Sequence, residues 1–360
     1  MPDRALTDAA LLFDGRRLTQ ARHLRGKLKS EIASAVDVTP AAIGQFERGS
    51  ARPRPATLAK IALTLGLSPG FFARPMTCEV PEDEAHFRRL RATSKRARDE
   101  ARARVEILAD FVDALERRVQ LPRVQLPMLP TEVTPEEAAL VTRRTWGLGD
   151  GPIANVVGLL ERKGVVVARM EVSSDDVDAF SCWVGGRPYV LLTSNKNAPD
   201  RSRFDAAHEL GHLVLHQDVR PGSASAEEEA HRFAAEFLMP ASVIPTELPQ
   251  RLNWRRYLEL KARWGVSLAA LVRRARDVGV ISDSAYQRAM IELGRRGWRK
   301  AEPDVLPEAE APELVSRALA LLEQERQFGL EDFATELQLP IGEIRALAGT
   351  GDAHRLSLAL

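Results

Sequence analysis

The sequence predicts an α+β protein that is mostly helical, and three observations support this fold class. Apolar residues recur at helical spacing in residues 14–74 and again from about residue 253 onward, whereas β-branched runs occur only between them. Apolar residues make up 44% of the 360 residues and charged residues 28%, which is ordinary for a folded protein. At this length we expect roughly two to three domains.

Charge and cysteine content exclude several classes of protein. The 51 Lys and Arg residues nearly balance the 50 Asp and Glu residues, which excludes a global basic field for nucleic acid but not a local one. Two cysteines, Cys78 and Cys182, cannot build a disulfide framework or a four-thiolate zinc site. No apolar run reaches membrane-spanning length, and the N-terminus lacks the apolar core of a signal peptide. We therefore expect a cytoplasmic protein with reduced thiols and no membrane partner.

Proline-rich stretches and shifts in charge divide the chain. Basic residues exceed acidic ones between residues 14 and 60, and the balance turns acidic after Ala301. Prolines mark joints at residues 121–130 and 302–312, and no internal repeat stands out. The predicted units are a domain of short helices at 14–74, a connector helix at 82–120, a mixed α and β domain at 131–245, a helical extension at 250–300 and a helical C-terminal segment at 312–360.

Periodicity within the mixed domain and the connector predicts individual elements. Strands are expected at 164–170, 177–184 and 189–193, and helices at about 202–216 and 225–238. Within the connector, residues 94–119 form one long amphipathic stretch. For this stretch, a role as a connector helix is favoured over a role in dimerisation.

Residues 29–49 predict two short helices joined by a tight turn. Ile32 and Val36 form an apolar stripe on the first helix. Thr39 supplies a hydroxyl for the N-cap of the second helix, and Pro40 suits its first position because the missing N–H costs nothing there. Two helices joined in this way fit the major groove of duplex DNA, with the second helix inserted in the groove.

The exposed face of this second helix provides candidate contacts to bases, namely Thr39, Ala41, Ala42 and Gln45. A glutamine can bond adenine bidentately, and alanine methyl groups can contact the thymine methyl group. Basic side chains around the face are candidates for phosphate contacts, which set register and salt dependence rather than sequence preference. These are Arg16, Arg22, Lys29, Arg48, Arg52 and Arg54.

Residues 16–75 resemble a Cro/CI-type helix-turn-helix domain of the XRE family. The matching pieces include ERG at 47–49 and the IALTLGL run at 61–67. Lys29 stands where many relatives have Gln, and Gly44 lies in mid-helix where Ser is common, but neither departure breaks the pattern. The resemblance implies a regulator that binds a double-stranded DNA operator, and we expect a homodimer. A helical domain used only for protein contacts is the alternative.

Residues 208–212, HELGH, predict a metal site on a helix. His208 and His212 are four residues apart, so both imidazoles face the same way and can share one metal ion. Glu209 lies about 100° round the helix, near the water on the metal rather than on the metal itself. Apolar neighbours such as Phe204, Ala207 and Leu215 indicate that this helix is buried.

A zinc site that keeps a position open for water needs a third protein ligand. The downstream candidates are Glu227, Glu228, Glu229, His231 and Glu236. On a helical wheel, Glu227 falls within the apolar arc of its helix, Glu228 points nearly opposite and Glu229 sits at the edge of the arc. A carboxylate on a buried face needs a partner, and a metal is one. Glu227 is therefore the preferred ligand and Glu229 the second choice.

Two further histidines are candidates for indirect roles. His231 could orient Glu227 or a water molecule. His216 lies one turn beyond His212, and it is either an oxyanion-stabilising group or, as we favour, a structural histidine with satisfied hydrogen bonds.

This set of residues predicts one zinc ion per chain and hydrolysis of a peptide bond. Zinc lowers the pKa of its bound water to about 7 and holds the developing oxyanion. Glu209 is the expected catalytic base, which takes the proton from the water and passes it to the leaving amine. A zinc ion kept for folding or for sensing, without turnover, is the alternative.

The segments FDAAHELGHLVLH at 204–216 and EEEAHRFAAEFLMP at 227–240 resemble the ImmA/IrrE family of metallo-endopeptidases, which are gluzincin-like. The resemblance covers roughly residues 150–245 and implies a third zinc ligand at Glu227. It also implies a protein substrate such as a repressor or an antitoxin.

Combined with the first resemblance, this predicts a DNA-binding regulator with a zinc endopeptidase that cleaves a repressor, an antitoxin or itself. Two alternatives stay open. One is a transcription factor whose peptidase-like domain is a sensor or a structural zinc domain, and the other is an interaction scaffold that does not bind DNA.

Overall fold

The computed structural model describes residues 2–80, 94–130, 132–170, 179–193, 199–216, 224–299, 301–303, 306 and 308–349. Within these residues, helices dominate and one three-stranded sheet lies near the middle of the chain, so the predicted α+β, mostly helical class is confirmed. Parts of three predicted elements lie outside the described residues: 82–93 of the connector, 177–178 of the second strand and 350–360 of the C-terminal segment.

Short helices form the N-terminal unit. They are α1 (Pro2–Leu11), α2 (Gly15–Leu24), α3 (Lys29–Val36), α4 (Pro40–Glu47), α5 (Pro55–Leu65) and a 3₁₀ turn (Pro69–Ala73). Helix α1 lies before the predicted start of this unit at residue 14, and it buries Ala9 and Ala10 in the same core as α2 to α5. Helix α1 therefore shares the core of this unit although it precedes residue 14.

The turn between α3 and α4 is fixed by two capping residues. Asp37 ends α3 in the left-handed region with φ 60°, and the Thr39 side chain accepts a hydrogen bond from the main-chain N–H of Ala42 at 3.1 Å. A left-handed residue followed two positions later by an N-cap also joins three other pairs of α-helices, where Gly265, Gln327 and Gln338 take the left-handed position. The fold therefore repeats a turn that no sequence repeat indicates.

Helix α6 (Lys95–Glu116) connects this unit to the rest of the chain and is buried along much of its length. The Arg17 guanidinium of α2 donates to the Asp110 carboxylate of α6, and both side chains are almost fully buried. The Thr77 hydroxyl donates to the other oxygen of Asp110 at 2.9 Å. Helix α6 therefore packs against the N-terminal unit of its own chain.

The sheet contains β1 (Val166–Met170), β2 (Ala179–Val184) and β3 (Arg187–Thr193) in the order β1-β3-β2. Strand β1 pairs with β3 in parallel, and β2 pairs with β3 in antiparallel fashion. Gly185 and Gly186 join β2 to β3 with positive φ angles, which two-residue hairpin turns of this kind require.

The two faces of the sheet belong to different hydrophobic cores. Val166 and Leu191 face the core that contains α6 and the N-terminal helices. Val167 and Leu192 face a second core, which contains helices that precede the sheet and helices that follow it in sequence. Because neighbouring residues in a strand point to opposite faces, this thin sheet links the two halves of the protein.

The second core is built from helices that precede the sheet in the chain and from helices that follow it. They are α7 (Pro135–Thr145), α8 (Val156–Arg162), α9 (Pro199–Leu215), α10 (Ala224–Leu238), α11 (Ile244–Glu247), α12 (Trp254–Trp264), α13 (Leu268–Asp277) and α14 (Asp283–Arg295). Helices α9 and α10 pack directly against each other, and α9 also packs against β2 and β3.

The C-terminal helices α15 (Leu314–Arg326), α16 (Leu330–Leu337) and α17 (Ile341–Leu347) return to the N-terminal half. The ring of Phe333 meets that of Phe111 in α6 at 5.0 Å between centroids, edge to face. The Ser68 hydroxyl donates to the Gln338 side chain at 2.9 Å. The C-terminal segment is therefore part of the first core.

Two carboxylates from described residues of the predicted joint at 302–312 contact the helices around it. Glu302 accepts from Lys261 Nζ at 2.8 Å and from the main-chain N–H of Leu268, at the start of α13, at 2.9 Å. Glu310 pairs with Arg203 and accepts from the N–H of Val156, at the start of α8, at 2.8 Å. Carboxylates are favourable at helix N-termini because they satisfy free N–H groups there.

Within the described part of the chain, no helix combines the length and apolar character needed to cross a membrane.

The contact between α2 and α4 leads to the first prediction. A Cβ atom at Gly15 would lie 2.1 Å from the main-chain oxygen of Phe46, so Gly15→Ala must push the two helices apart. We expect it to lower the free energy of unfolding by about 1–3 kcal/mol, measured by urea denaturation. The control is Gly342→Ala in α17, where an added Cβ meets no atom within 4 Å. Equal stability of the two variants would show that α2 and α4 tolerate a wider separation at no cost.

A buried carboxylate in α6 leads to the second prediction. Glu106 is 5% exposed, and burial raises the pKa of its carboxyl from 4.5 to about 7, although the Val80 N–H and Gln20 hydrogen-bond to it. Because the pKa is higher in the folded state, ionisation of Glu106 opposes folding increasingly as the pH rises from about 4.5 to 7.

Glu106→Gln removes this cost. Compared with the wild type, the variant should gain about 1–3 kcal/mol more unfolding free energy at pH 8 than at pH 5, as measured by urea denaturation at both pH values. The control is Glu325→Gln at an exposed position of α15, and its change in unfolding free energy should be the same at pH 5 as at pH 8. A pH-independent gain for Glu106→Gln would mean that ionisation of this buried carboxyl does not oppose folding.

Candidate metal centre and nucleic-acid interface

The metal centre depends on the close approach of α9 and α10. Gly211 lies within the HELGH segment at this contact, and a Cβ there would lie 3.1 Å from the Phe233 ring and 3.2 Å from the Cα of Ala230. A side chain at this position would therefore press on the Phe233 ring and on the backbone of α10, which would have to shift by a few tenths of an ångström. Glycine at this position lets a side chain of α10 reach the histidines of α9.

Three side chains converge at this contact. The Nε2 atoms of His208 and His212 are 3.2 Å apart, and they lie 3.4 Å and 3.6 Å from the two carboxylate oxygens of Glu227. Their candidate ligand atoms all lie within 4.8 Å of one another. Two imidazole nitrogens and one carboxylate oxygen form a donor set that zinc uses with an open fourth position. The residues therefore fit a zinc ion.

The other acidic candidates for the third ligand have different partners. Glu228 pairs with Arg273 at 2.9 Å, Glu229 accepts from His216, and Glu236 pairs with buried Arg274. Glu227 is the member of this set that faces both histidines of the motif, as the helical wheel favours.

Glu209 is held beside the triad by the sheet. The Ser181 hydroxyl of β2 donates to the Glu209 carboxylate at 2.7 Å, and the Glu209 side chain is almost fully buried. Burial raises the pKa of Glu209 to about 7, against the opposing effects of His208 and of the Ser181 hydrogen bond. A carboxyl with its pKa near neutrality suits a general base.

Ser181 is not among the residues predicted from the sequence, although a signal for it exists. It is the one hydroxyl in the otherwise apolar β2 segment AFSCWV, and it is fully buried. A buried hydroxyl needs a hydrogen-bond partner, so a lone serine in such a strand indicates a specific contact.

His216 and Glu229 continue the site away from the ligand atoms. Nδ1 of His212 and Nδ1 of His216 are 3.0 Å apart, and Nε2 of His216 is 3.0 Å from Oε2 of Glu229. His216 therefore contacts a ligand of the triad from behind, rather than the open side of the site.

His231 lies near the open side of the site. Its ring contacts that of Phe204 at 4.8 Å between centroids, and burial lowers its pKa to about 4. His231 also lines a cavity of about 1180 Å³ that reaches His208 and Glu227. It is thus placed near the space that a substrate would occupy.

The walls of this cavity are mixed in character. Its apolar surface includes Phe204, Tyr286, Met290 and Trp298, and its charged surface includes Arg273 and Glu228. Residues 301–303, 306 and 308 also contribute to the lining. A cavity of this size beside a metal site can hold several side chains of an extended peptide or one large ligand.

The predicted DNA-reading face lies on α4. Thr39, Ala41 and Gln45 are exposed, whereas Ala42 is half-buried and packs partly against the core. Arg48 and Arg52 are exposed beside this face. The helix therefore presents short side chains and one glutamine, with basic residues at its C-terminal end.

Two of the predicted phosphate contacts have internal partners. The Arg22 side chain is 11% exposed and donates to the Glu47 carboxylate at 2.5 Å, so it ties α2 to α4. Lys29 also pairs with Glu47, at 2.8 Å, and keeps 42% of its side chain exposed. Glu47 thus holds α4 against α2 and α3, and Arg22 serves this internal contact.

Comparison with protein families agrees with this geometry. Residues 18–72 match the helix-turn-helix family, and residues 160–276 match the peptidase family described as the IrrE N-terminal-like domain. The second match contains β1 to β3, α9 and α10, and it continues through α12 into α13. No curated protein matches the chain. The chain is thus a fusion of an XRE-type helix-turn-helix domain with an IrrE/ImmA-like domain of a metallopeptidase family.

Proposed function

We propose that this protein is a DNA-binding transcriptional regulator whose second domain hydrolyses a peptide bond in a regulatory protein. The convergence of His208, His212 and Glu227, with Glu209 held beside them, is the observation that carries the proposal. The adjoining cavity provides space for a polypeptide substrate. A repressor, an antitoxin or this chain itself is the proposed substrate, and the cytoplasm is the proposed location.

We assign the metal role to one zinc ion per chain. His208, His212 and Glu227 would hold it, and it would supply Lewis-acid polarisation of the reacting groups. Glu209 takes a proton from the attacking water at its carboxylate and delivers it to the amine nitrogen as the peptide C–N bond breaks. Ser181 keeps the Glu209 carboxylate in place during both transfers.

In the first domain, we propose that α4 enters the major groove. Gln45 would bond an adenine edge, Thr39 and Ala41 would contact neighbouring groups, and Ala42 would lie close to the base edges at its exposed side. Lys29, Arg48 and Arg52 would contact phosphates. A homodimer would place two such helices on the half-sites of an operator.

A second candidate is a transcription factor whose peptidase-like domain senses a ligand without turnover. Part of the cavity wall comes from the chain segment just after α14, including Glu302 and Glu308, and a partly enclosed cavity also suits a small molecule. In this case the zinc site would serve folding or sensing.

The role of Glu209 distinguishes the two candidates. Glu209→Gln keeps the shape and the Ser181 contact but removes the base, so hydrolysis should fall by about 10²-fold or more. Zinc binding should stay at one ion per chain, since Glu209 is not among the ligands. The measurement combines elemental analysis with cleavage of purified regulatory proteins encoded beside this gene.

The control for this experiment is Glu325→Gln in α15, an exposed residue outside the cavity lining, which should cleave as the wild type does. Cleavage by Glu209→Gln at the wild-type rate would refute the catalytic assignment. Zinc binding without cleavage in the wild type, together with unaltered gene regulation in Glu209→Gln, would favour the sensor.

The reading face gives a prediction for DNA binding. Gln45→Ala should weaken binding to the operator by about 10-fold or more while leaving random-sequence DNA unaffected. Arg52→Ala should weaken both and lower the slope of log affinity against log salt by about one. Both are measured by fluorescence anisotropy with a duplex from upstream of the gene and a shuffled duplex.

Ser284→Ala serves as a control because Ser284 is exposed on α14, far along the chain from the reading helix. If Gln45→Ala weakens both duplexes equally, Gln45 does not read bases. If no variant changes the affinity for either duplex, α4 is not the DNA-contacting helix.

A further inference from the structure

Three side chains form a hydrogen-bonded row that starts at the metal centre and ends at the protein surface. The row runs from His212 on α9 to His216, one turn further on the same helix, and then to Glu229 on α10. Both contacts measure 3.0 Å. Helix α10 therefore contributes one carboxylate to the triad, Glu227, and a second carboxylate to this row.

The row allows one assignment of protons that is compatible with a metal. A neutral imidazole has one nitrogen that donates and one that accepts. If Nε2 of His212 gives its lone pair to a metal, the proton of this ring is on Nδ1, which must donate to Nδ1 of His216. The proton of His216 is then on Nε2, and it is donated to the Glu229 carboxylate.

The opposite assignment blocks the metal site. A proton on Nδ1 of His216 would be donated to Nδ1 of His212, and the His212 proton would then occupy Nε2, the atom that faces Glu227. An anionic acceptor at Glu229 favours the first assignment because it holds the His216 proton on Nε2. The carboxylate thus acts on the triad through an intervening ring.

Burial of the two rings means that each ring nitrogen in this row needs a hydrogen-bond partner. The side chains of His212 and His216 are 3% and 2% exposed, so a ring nitrogen without a partner would cost free energy. Glu229 is 41% exposed and keeps its charge partly hydrated. Because both nitrogens of His216 face neighbours within the row, neither is directed at a substrate, and an oxyanion-stabilising role does not fit this geometry.

We propose that Glu229 and His216 are positioning residues that fix the tautomer and the ring orientation of His212 and thereby set the metal affinity of the site. The inference rests on the proposed metal centre. Groups that hydrogen-bond to a ligand imidazole typically change metal affinity by about 10- to 100-fold when they are removed.

The test compares variants of α10 in the full-length protein. Glu229→Ala should bind zinc about 10- to 100-fold more weakly than the wild type, measured by competition with a chromophoric chelator at constant pH. Glu228→Ala is the matched control, since this neighbour is exposed and pairs with Arg273, and its affinity should equal that of the wild type. Glu229→Gln keeps an acceptor oxygen and should restore most of the lost affinity.

Nitrogen-15 NMR of the histidine rings in the zinc-loaded protein gives a readout that a merely structural role would not move. The proton should be on Nδ1 of His212 and on Nε2 of His216 in the wild type. In Glu229→Ala, the His216 ring should lose its preference for the Nε2 tautomer. Circular dichroism confirms that each variant is folded, and Glu229 is the primary target because its partly exposed side chain leaves no buried cavity when it is removed.

The outcomes separate the two levels of the proposal. If the wild type binds no zinc, the metal centre and the positioning row are both refuted. If the wild type binds zinc and Glu229→Ala binds as tightly as Glu228→Ala, the row alone is refuted. A proton on Nδ1 of His216 in the zinc-loaded wild type would also overturn the row.

Discussion

The contact between α9 and α10 is the constraint on which the metal centre depends. A carboxylate from one helix must meet two imidazoles from the other, and the helices approach closely enough because Gly211 has no side chain at Ala230. The buried Arg274–Glu236 pair holds α10 from its far side. The triad thus sits on two packed helices rather than on loops, which favours a fixed arrangement of donor atoms.

The sheet and the connector place the two functional regions within one continuous packing arrangement. One sheet face carries the peptidase-type core, and the other packs with α6 and the DNA-binding helices. The proline-rich joint after α6 is fixed as well, since Gln125 bonds the main chain of Lys163 at 2.9 Å and accepts from the Trp146 indole at 2.7 Å. The N-terminal helix-turn-helix unit is therefore joined to the rest of the protein by packed contacts rather than by a flexible linker.

Features that depend on near neighbours in sequence could be predicted. The cap at Thr39 and the spacing in HELGH act over four residues or fewer, and local periodicity places Glu227 on the apolar side of its helix, where the side chain is half-buried. Contacts between residues that are distant in sequence could not be predicted in this way. The contact of Ser181 with Glu209 and the anchoring of Arg22 by Glu47 arise from tertiary packing, and neither leaves a periodic trace. The charge of Arg22 suggested an exposed side chain. In the structure the side chain is largely buried, and its ion pair with Glu47 compensates for the loss of hydration.

The return of the last helices to the first domain has a consequence for biosynthesis. Ser68 and Gln338 are in contact although 270 residues separate them in the chain, and the ring contact of Phe111 with Phe333 is also distant in sequence. The ribosome completes the N-terminal helices long before it makes their final cover. A chain truncated before Phe333 would therefore leave part of the first core, including the Phe111 ring, without its apolar partner, and exposed apolar surface of this kind favours aggregation.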